Sequence, residues 1–201
     1  MKVLIAGKFL EKLVDALSEF NDELVTIPNC KLTLDDIKKS DFELAIFHLY
    51  DPIVKPDVLN SIRCINIHFS ILPYGRGPEP LLASWVNGEP IGVTIHEMTS
   101  DLDCGPIIVQ TEYPMNAKNT SFESSFDFLL EASSELLKAW WETIKKKTYV
   151  PIEQTEGGSS HSNKQIEPIF DLVVEYSGLT VSELLKEIER KHPNFRLNNL
   201  S

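Results

Sequence analysis

Four short apolar segments, at residues 3–6, 24–27, 44–47 and 62–67, constrain this fold most. Each is too short for a buried helix and rich in Leu, Ile and Val, the pattern of a strand covered on both faces. Helical signals fill the gaps. Leu10, Leu13, Val14 and Leu17 recur at helical spacing, Thr33 caps a short helix over 33–38, and Pro56 suits a first helical turn. Strands alternating with helices predict parallel βαβ units and an α/β fold: a doubly wound, mostly parallel Rossmann-like sheet. In such sheets ligands bind beyond the carboxyl ends of the strands.

Further along, 81–86 reads as a helix and 92–98 and 107–113 as strands. Residues 121–145 give the clearest helix. Phe122, Phe126, Leu129, Leu136, Trp140 and Ile144 fall near a 3.6-residue period, and Ser121 with Glu123 and Ser124 makes a capped start. After Tyr149 the character changes. Gly157-Gly158-Ser159-Ser160 reads as a flexible tract, and amphipathic segments follow at 167–176 and 181–191, the second behind a Thr180-Val181-Ser182-Glu183 capping box. The expected division is a main domain over 1–150 and a small C-terminal extension over 151–201. No internal repeat is present.

A length of 201 residues suits one ordinary domain, and 42% hydrophobic content suffices for a packed core. The formal net charge of -11 argues against a nucleic-acid groove. It leaves room for a small anionic ligand, because local charge can oppose the global sign. Cys30, Cys64 and Cys104 include no Cys-x-x-Cys pair, so neither a disulfide framework nor a zinc knuckle is expected. The apolar run at the N-terminus is too short for a signal peptide. No run approaches the roughly 20 residues of a membrane span. The expectation is a reduced, cytoplasmic protein that contacts neither nucleic acid nor membrane.

Asn66 and His68 stand at alternate positions at the end of the fourth apolar segment, which places both on one face of a strand. Asp103 arrives later, in Asp101-Leu102-Asp103-Cys104-Gly105-Pro106. Amide, imidazole and carboxylate are the groups needed to move a proton while holding a developing oxyanion. A lone histidine at a strand end is more often structural. The amide two residues earlier, with Ser70 and Leu72-Pro73 after it, tips this one toward a site. His96 alternates with Thr94 on a later strand and reads equally as a structural or a contacting residue. Lys145-Lys146-Lys147 reads as favourable charge at a helix end.

Three separated blocks carry a resemblance: Asn-x-His-x-Ser-x-Leu-Pro from Asn66, Gly-Val-Thr-Ile-His from Gly92, and Leu-Asp-x-Gly-Pro-Ile-Ile-x-Gln from Leu102. In order and spacing they resemble the formyltransferases that use 10-formyltetrahydrofolate. That family includes glycinamide ribonucleotide formyltransferase, methionyl-tRNA formyltransferase and the nucleotide-sugar N-formyltransferases. The similarity is strongest over 42–113, weaker over 1–41 and poor beyond 150.

The resemblance implies that Asn66, His68 and Asp103 are catalytic. A substrate amine would attack the formyl carbon, Asn66 would donate to the oxyanion, His68 would handle the amine proton, and Asp103 would orient His68 and relay a proton. No metal and no covalent nucleophile are needed, so Cys104 reads as a small apolar filler. Asp101, two residues earlier, competes with Asp103 but is the better candidate for shaping the loop. The family's folate slot maps onto Tyr50, Pro52, Ile53 and Val54 on one wall and onto Thr99, Asp101 and Leu102 on the other. Ser70, Tyr74 and Arg76 map onto the loop that meets the acceptor.

Other features sort the acceptors. Ala6-Gly7-Lys8-Phe9-Leu10 lacks the further glycines of a phosphate cradle, which counts against glycinamide ribonucleotide. About fifty residues remain after position 150, short of a transfer-RNA-gripping domain. The resemblance therefore points to a nucleotide-linked amino sugar, a dTDP- or GDP-linked 4-amino-4,6-dideoxyhexose, as in lipopolysaccharide O-antigen biosynthesis. It also implies a homodimer. Two alternatives stay open: the purine-pathway formyltransferase, and a non-catalytic folate-binding or regulatory protein on the same scaffold.

Overall fold

The computed structural model describes residues 1–195 and Leu197. Its elements are β1 (Lys2–Gly7), α1 (Leu10–Leu17), β2 (Glu23–Pro28), α2 (Leu34–Lys38), β3 (Leu44–His48), α3 (Pro56–Leu59) and β4 (Arg63–His68). Then come α4 (Pro80–Asn87), β5 (Gly92–Glu97), β6 (Ile107–Glu112), α5 (Phe122–Lys146), α6 (Asn163–Glu175) and α7 (Val181–Lys191). The sheet order is β2-β1-β3-β4-β5-β6. β2 and β3 lie parallel on either side of β1, β4 lies parallel to β3, and β5 runs antiparallel to β4. This is the expected α/β, mostly parallel, doubly wound sheet, and its order reverses between β1 and β3.

Two compact units make up the chain. The first comprises Met1–His68, Thr94–Val109 and Leu130–Gln154, and the second Phe69–Val93, Gln110–Leu129 and the described residues from Thr155 onward. In the first unit, Val3 to Ala6 on β1 and Leu44 to Ile46 on β3 are fully buried. Covering both faces explains why these strands read as continuous apolar runs. α1 buries Leu10, Leu13 and Leu17, and the later part of α5 buries Leu137, Trp141 and Ile144. Of this adjacent pair, Trp141 and not Trp140 is therefore the one in the core. Leu129, Leu136 and Ile144 are buried as the period predicts, while Leu137 and Trp141 are buried beside them and Trp140 is half-buried. The Trp141 indole packs edge-on to Phe20 and donates to Asp22 Oδ2 at 2.8 Å.

Lys145 is more than a helix-end charge. Its Nζ lies 2.8 Å from Asp22 Oδ2 and 2.6 Å from Glu142 Oε1. The amino group of Met1 holds the other Asp22 oxygen at 2.8 Å. Burial pushes the Asp22 carboxyl up, but hydrogen bonds from Lys145, the amino terminus and Trp141 outweigh it and hold the group at about 2, below its ordinary 3.8.

In the second unit, Leu82 and Ala83 of α4 pack with Ile166, Ile169, Leu172 and Val173 of α6 and with Leu184 and Ile188 of α7. Local chemistry sets the ends of these helices. Gly88 closes α4 in the left-handed conformation at φ 69°. α6 starts before the predicted 167, because Ser162 and Gln165 form a capping box. Thr180 and Glu183 form the predicted one at α7. Among the described residues no helix is long and apolar enough to cross a membrane.

Candidate active site

The antiparallel register of β4 and β5 assembles the centre of the site. Asn66 lies opposite His96 and His68 opposite Thr94. Residues directly opposite in such a pair project to the same face. All four side chains therefore share one face, and Asp103 reaches it from the loop after β5. Asp103 Oδ1 lies 3.3 Å from Asn66 Nδ2, 3.8 Å from His68 Nδ1 and 3.7 Å from His96 Nε2. The predicted trio of Asn66, His68 and Asp103 is thus brought together, with His96 as a fourth member. His68, His96 and Asp103 are buried.

Hydrogen bonding fixes the tautomer of His96. His96 Nδ1 lies 2.9 Å from the Glu97 carbonyl oxygen, which can only accept. Nδ1 therefore carries the proton, and Nε2 of the neutral ring is an acceptor. Asn66 Nδ2 donates to it at 3.3 Å. Burial holds the His96 imidazole at about 4, helped by the nearby His68 and opposed by Asp103. His96 is accordingly uncharged near neutral pH. His68 turns its Nδ1 toward the same carboxylate, 3.8 Å from Asp103 Oδ1. Both hydrogens of the Asn66 amide are engaged, yet at 3.3 Å both contacts are long.

The loop that delivers Asp103 is tightly built. Asp103 has a left-handed backbone, φ 53°. A Cβ on Gly105 would stand 1.8 Å from the Glu97 carbonyl oxygen, so only glycine fits there. Asp101 shapes the turn through its carbonyl, which accepts from Cys104 N at 3.3 Å and from the Thr99 hydroxyl at 3.1 Å. Gln154 Nε2 donates to the carbonyls of Asp103 and Gly105, both at 2.8 Å. Nothing in the sequence marks Gln154. It lies 51 residues from Asp103.

The stretches assigned to the folate slot differ residue by residue. Tyr50 spends its hydroxyl on the backbone, donating to Cys30 O at 2.7 Å and accepting from Leu32 N at 2.9 Å. Its neighbour Asp51 is tied to Lys8 and Asn29. Val54 turns into the core, at 8% exposure, whereas Ile53 is 82% exposed. Leu102 is 62% exposed. Pro52 is half-buried, and Thr99 and Asp101 contribute mainly through the turn just described.

Ser70, Tyr74 and Arg76 belong to the second unit. Ser70 is fully buried and donates to the Tyr74 carbonyl at 2.7 Å, so it braces the loop. The Tyr74 ring is 41% exposed. The Gly157–Ser160 tract is not a free linker. Ser159 is buried, its hydroxyl accepts from Gly75 N at 2.7 Å, and its carbonyl accepts from Arg76 N at 3.0 Å. Gly77 and Gly158 allow the two segments to mesh. A Cβ on Gly77 would lie 2.2 Å from the His161 carbonyl oxygen, and one on Gly158 2.2 Å from that of Pro73. Of the two glycines that read as flexibility, Gly158 is there for close approach, and Gly157 sits in open space at φ 97°.

Gly7, at the first strand-to-helix turn, has a comparable explanation. A Cβ there would stand 1.8 Å from the His48 carbonyl oxygen. Phe9 precedes α1 without a side-chain cap, and Glu11 occupies the first helical turn. Nothing in this turn is arranged to receive a phosphate.

A sheet of this topology, with an amide, two imidazoles and a carboxylate converging beside its fourth strand, places the chain in a known class. The formyl transferase family model matches residues 31–139, and the chain belongs to that family. Among its relatives, the dTDP-4-amino-4,6-dideoxyglucose formyltransferase of Mycobacterium tuberculosis is 30% identical over 140 residues, covering 69% of this chain and 59% of that protein. The methionyl-tRNA formyltransferase of Borrelia duttonii is 37% identical over 112 residues, covering 51% and 36% respectively. This chain thus spans about a third to three fifths of those proteins' lengths. Among solved structures, the formyltransferase PseJ from Anoxybacillus kamchatkensis, in complex with UDP-4,6-dideoxy-4-formamido-L-AltNAc and tetrahydrofolate, is similar with a TM-score of 0.82 and 31% identity. That match covers 92% of this chain and 97% of PseJ.

Proposed function

We propose that this protein is an N-formyltransferase that moves the formyl group of 10-formyltetrahydrofolate to the amine of a nucleotide-linked 4-amino-4,6-dideoxyhexose. The observation that carries the reading is the convergence on Asp103 Oδ1 of Asn66, His68 and His96 within 3.3 to 3.8 Å. The near full-length match to PseJ supports a sugar acceptor and makes uridine diphosphate the nucleotide to try first, ahead of dTDP or GDP. The turn after β1, with Glu11 where an anion would sit, and the net charge of -11 weigh against glycinamide ribonucleotide and transfer RNA.

10-Formyltetrahydrofolate supplies the formyl group. Exposed Ile53 and Leu102 offer one aliphatic side chain on each wall of the assigned slot, which suits a flat ring. Tyr50, Pro52, Val54, Thr99 and Asp101 complete the walls mainly through backbone. As the acceptor nitrogen bonds to the formyl carbon, Asn66 Nδ2 donates to the formyl oxygen, which gains charge. His68 Nε2 takes the proton that the amine loses, and Asp103 balances the resulting charge at Nδ1. The proton ends on the folate nitrogen as its bond to the formyl carbon breaks. Tyr74 and Arg76, on the loop braced by Ser70, are assigned to the acceptor. We assign the chemistry to 1–150 and dimerisation to the extension over 151–201, in a cytoplasmic homodimer.

Incubation with 10-formyltetrahydrofolate and a UDP-4-amino-4,6-dideoxyhexose should yield the formamido sugar and tetrahydrofolate, read by mass spectrometry. The dTDP and GDP sugars, glycinamide ribonucleotide and methionyl-tRNA serve as competitors. Formylation of either of the last two, with no amino sugar accepted, would end the reading.

A further inference from the structure

We infer that Gln154 is a positioning residue for Asp103, acting as a clasp on the backbone of the loop that delivers the carboxylate. The inference rests on the reading that Asp103 takes part in the reaction. Gln154 belongs to the same compact unit as Asp103 and lies outside residues 31–139, the span matched to the family.

The geometry is that of a two-pronged donor. One terminal amide carries two hydrogens, and each meets a carbonyl, Asp103 O and Gly105 O, at 2.8 Å. Those carbonyls flank Cys104, so the amide spans the turn. The turn needs holding. Asp103 sits at φ 53°, a conformation that costs a non-glycine residue energy and persists only where its surroundings impose it. The backbone tie within it from Cys104 N to Asp101 O is long, at 3.3 Å.

Gln154 is itself held in place. Ile152 pairs with Ile107 through reciprocal backbone bonds of 2.8 and 2.9 Å. That bridge anchors residue 152 to the start of β6, just past the turn, and sets Gln154 over Asp103. The Ile152 side chain is 60% exposed, so this short pairing owes little to burial. Its consequence is to place the amide. A glutamine suits the task because it offers two donors without charge. A lysine or arginine here would set a cation beside Asp103 and compete with His68 for the carboxylate.

The test uses the full chain and two readouts. In the first, amide hydrogen exchange is followed across residues 101–106 in wild type, Gln154→Ala and Gln154→Glu. Faster exchange at Asp103 to Gly105 by roughly tenfold or more, with β1 to β4 unchanged, is expected in both variants. Unchanged exchange there overturns the inference, whatever the acceptor is. The second readout is a double-mutant cycle with Asp103→Asn, using 10-formyltetrahydrofolate and the UDP-4-amino sugar. Gln154→Ala should lower kcat roughly 10- to 100-fold with KM for the folate within about twofold, as misplacement of a reacting group does. In the Asp103→Asn background it should cost nothing further. Additive losses would show that Gln154 acts elsewhere, and a wild-type kcat in Gln154→Ala would sink the clasp alone. A wild-type rate in Asp103→Asn would instead bring down the reading of the site, and the clasp's catalytic meaning with it.

Discussion

Asp22 gives the sharpest stability prediction, because every group that touches it is identified. Its carboxylate accepts from Lys145, Trp141 and the Met1 amino group, each at 2.8 Å, and its side chain is 3% exposed. Lowering a carboxyl from 3.8 to about 2 corresponds to about 2 kcal/mol of stability, since a tenfold change in proton affinity is about 1.4 kcal/mol. The folded value is the lower one. The contribution is therefore complete above the unfolded value of 3.8 and is lost as pH falls through 3.8 toward about 2. About half of it should be gone by pH 3. Asp22→Asn, compared with wild type by urea unfolding, should be destabilised by about 2 kcal/mol or more at pH 7, because Lys145 loses its most buried partner. The gap should narrow below pH 4. His48 and His96, each held at about 4 by burial, also weaken the fold as pH falls from 6.5, but equally in both proteins. The difference isolates Asp22. A gap that stays constant from pH 6 to pH 3 would refute the argument.

Asn66→Ala should lower turnover of the proposed reaction roughly 10²–10³-fold, the cost of removing an oxyanion donor, and His68→Ala by a comparable factor; near-normal rates in both would show the chemistry lies elsewhere. His96→Phe removes the acceptor that turns the Asn66 amide, so kcat should fall about tenfold, with partial recovery in His96→Gln, which restores an acceptor; equal rates in the two variants would argue for a packing role. Gly158→Ala meets the Pro73 carbonyl oxygen at φ 86° and should cost about 2 kcal/mol in chemical denaturation, whereas Gly178→Ala, with nothing within 4 Å, should be silent. A silent Gly158→Ala would mean the two segments do not mesh as described.

Much of the fold was legible because strand and helix leave periodic traces. The buried runs on β1 and β3 and the caps at Thr33, Ser121 and Thr180 all sit where the pattern put them. Trp141 was missed because adjacent tryptophans differ by only about 100° around a helix, and what decides between them is Asp22, 119 residues away. The Gly157–Ser160 tract was misread for a related reason. Glycine signals flexibility and close approach by the same letter, and only the Pro73 carbonyl distinguishes them. At the site, Asn66 and His68 were legible from spacing, and Asp103 from its motif. His96 stood ambiguous because its role depends on strand register, and Gln154 left no trace.

Within the proposed reaction, His96 answers a question the motif leaves open: how an amide beside a carboxylate is kept pointing the right way. Asn66 needs a second acceptor beside Asp103, otherwise the amide could turn its own oxygen toward the site. A carboxylate there would add a second negative charge beside Asp103, and a lysine would donate instead of accept. A neutral imidazole meets the requirement if it never protonates in the working range. Burial on β5, with Nδ1 committed to the Glu97 carbonyl, keeps it neutral down to about 4. The two histidines on one face thus take opposite roles, one held neutral to orient, the other left beside Asp103 to carry a proton. Environment, not residue type, divides the labour between them.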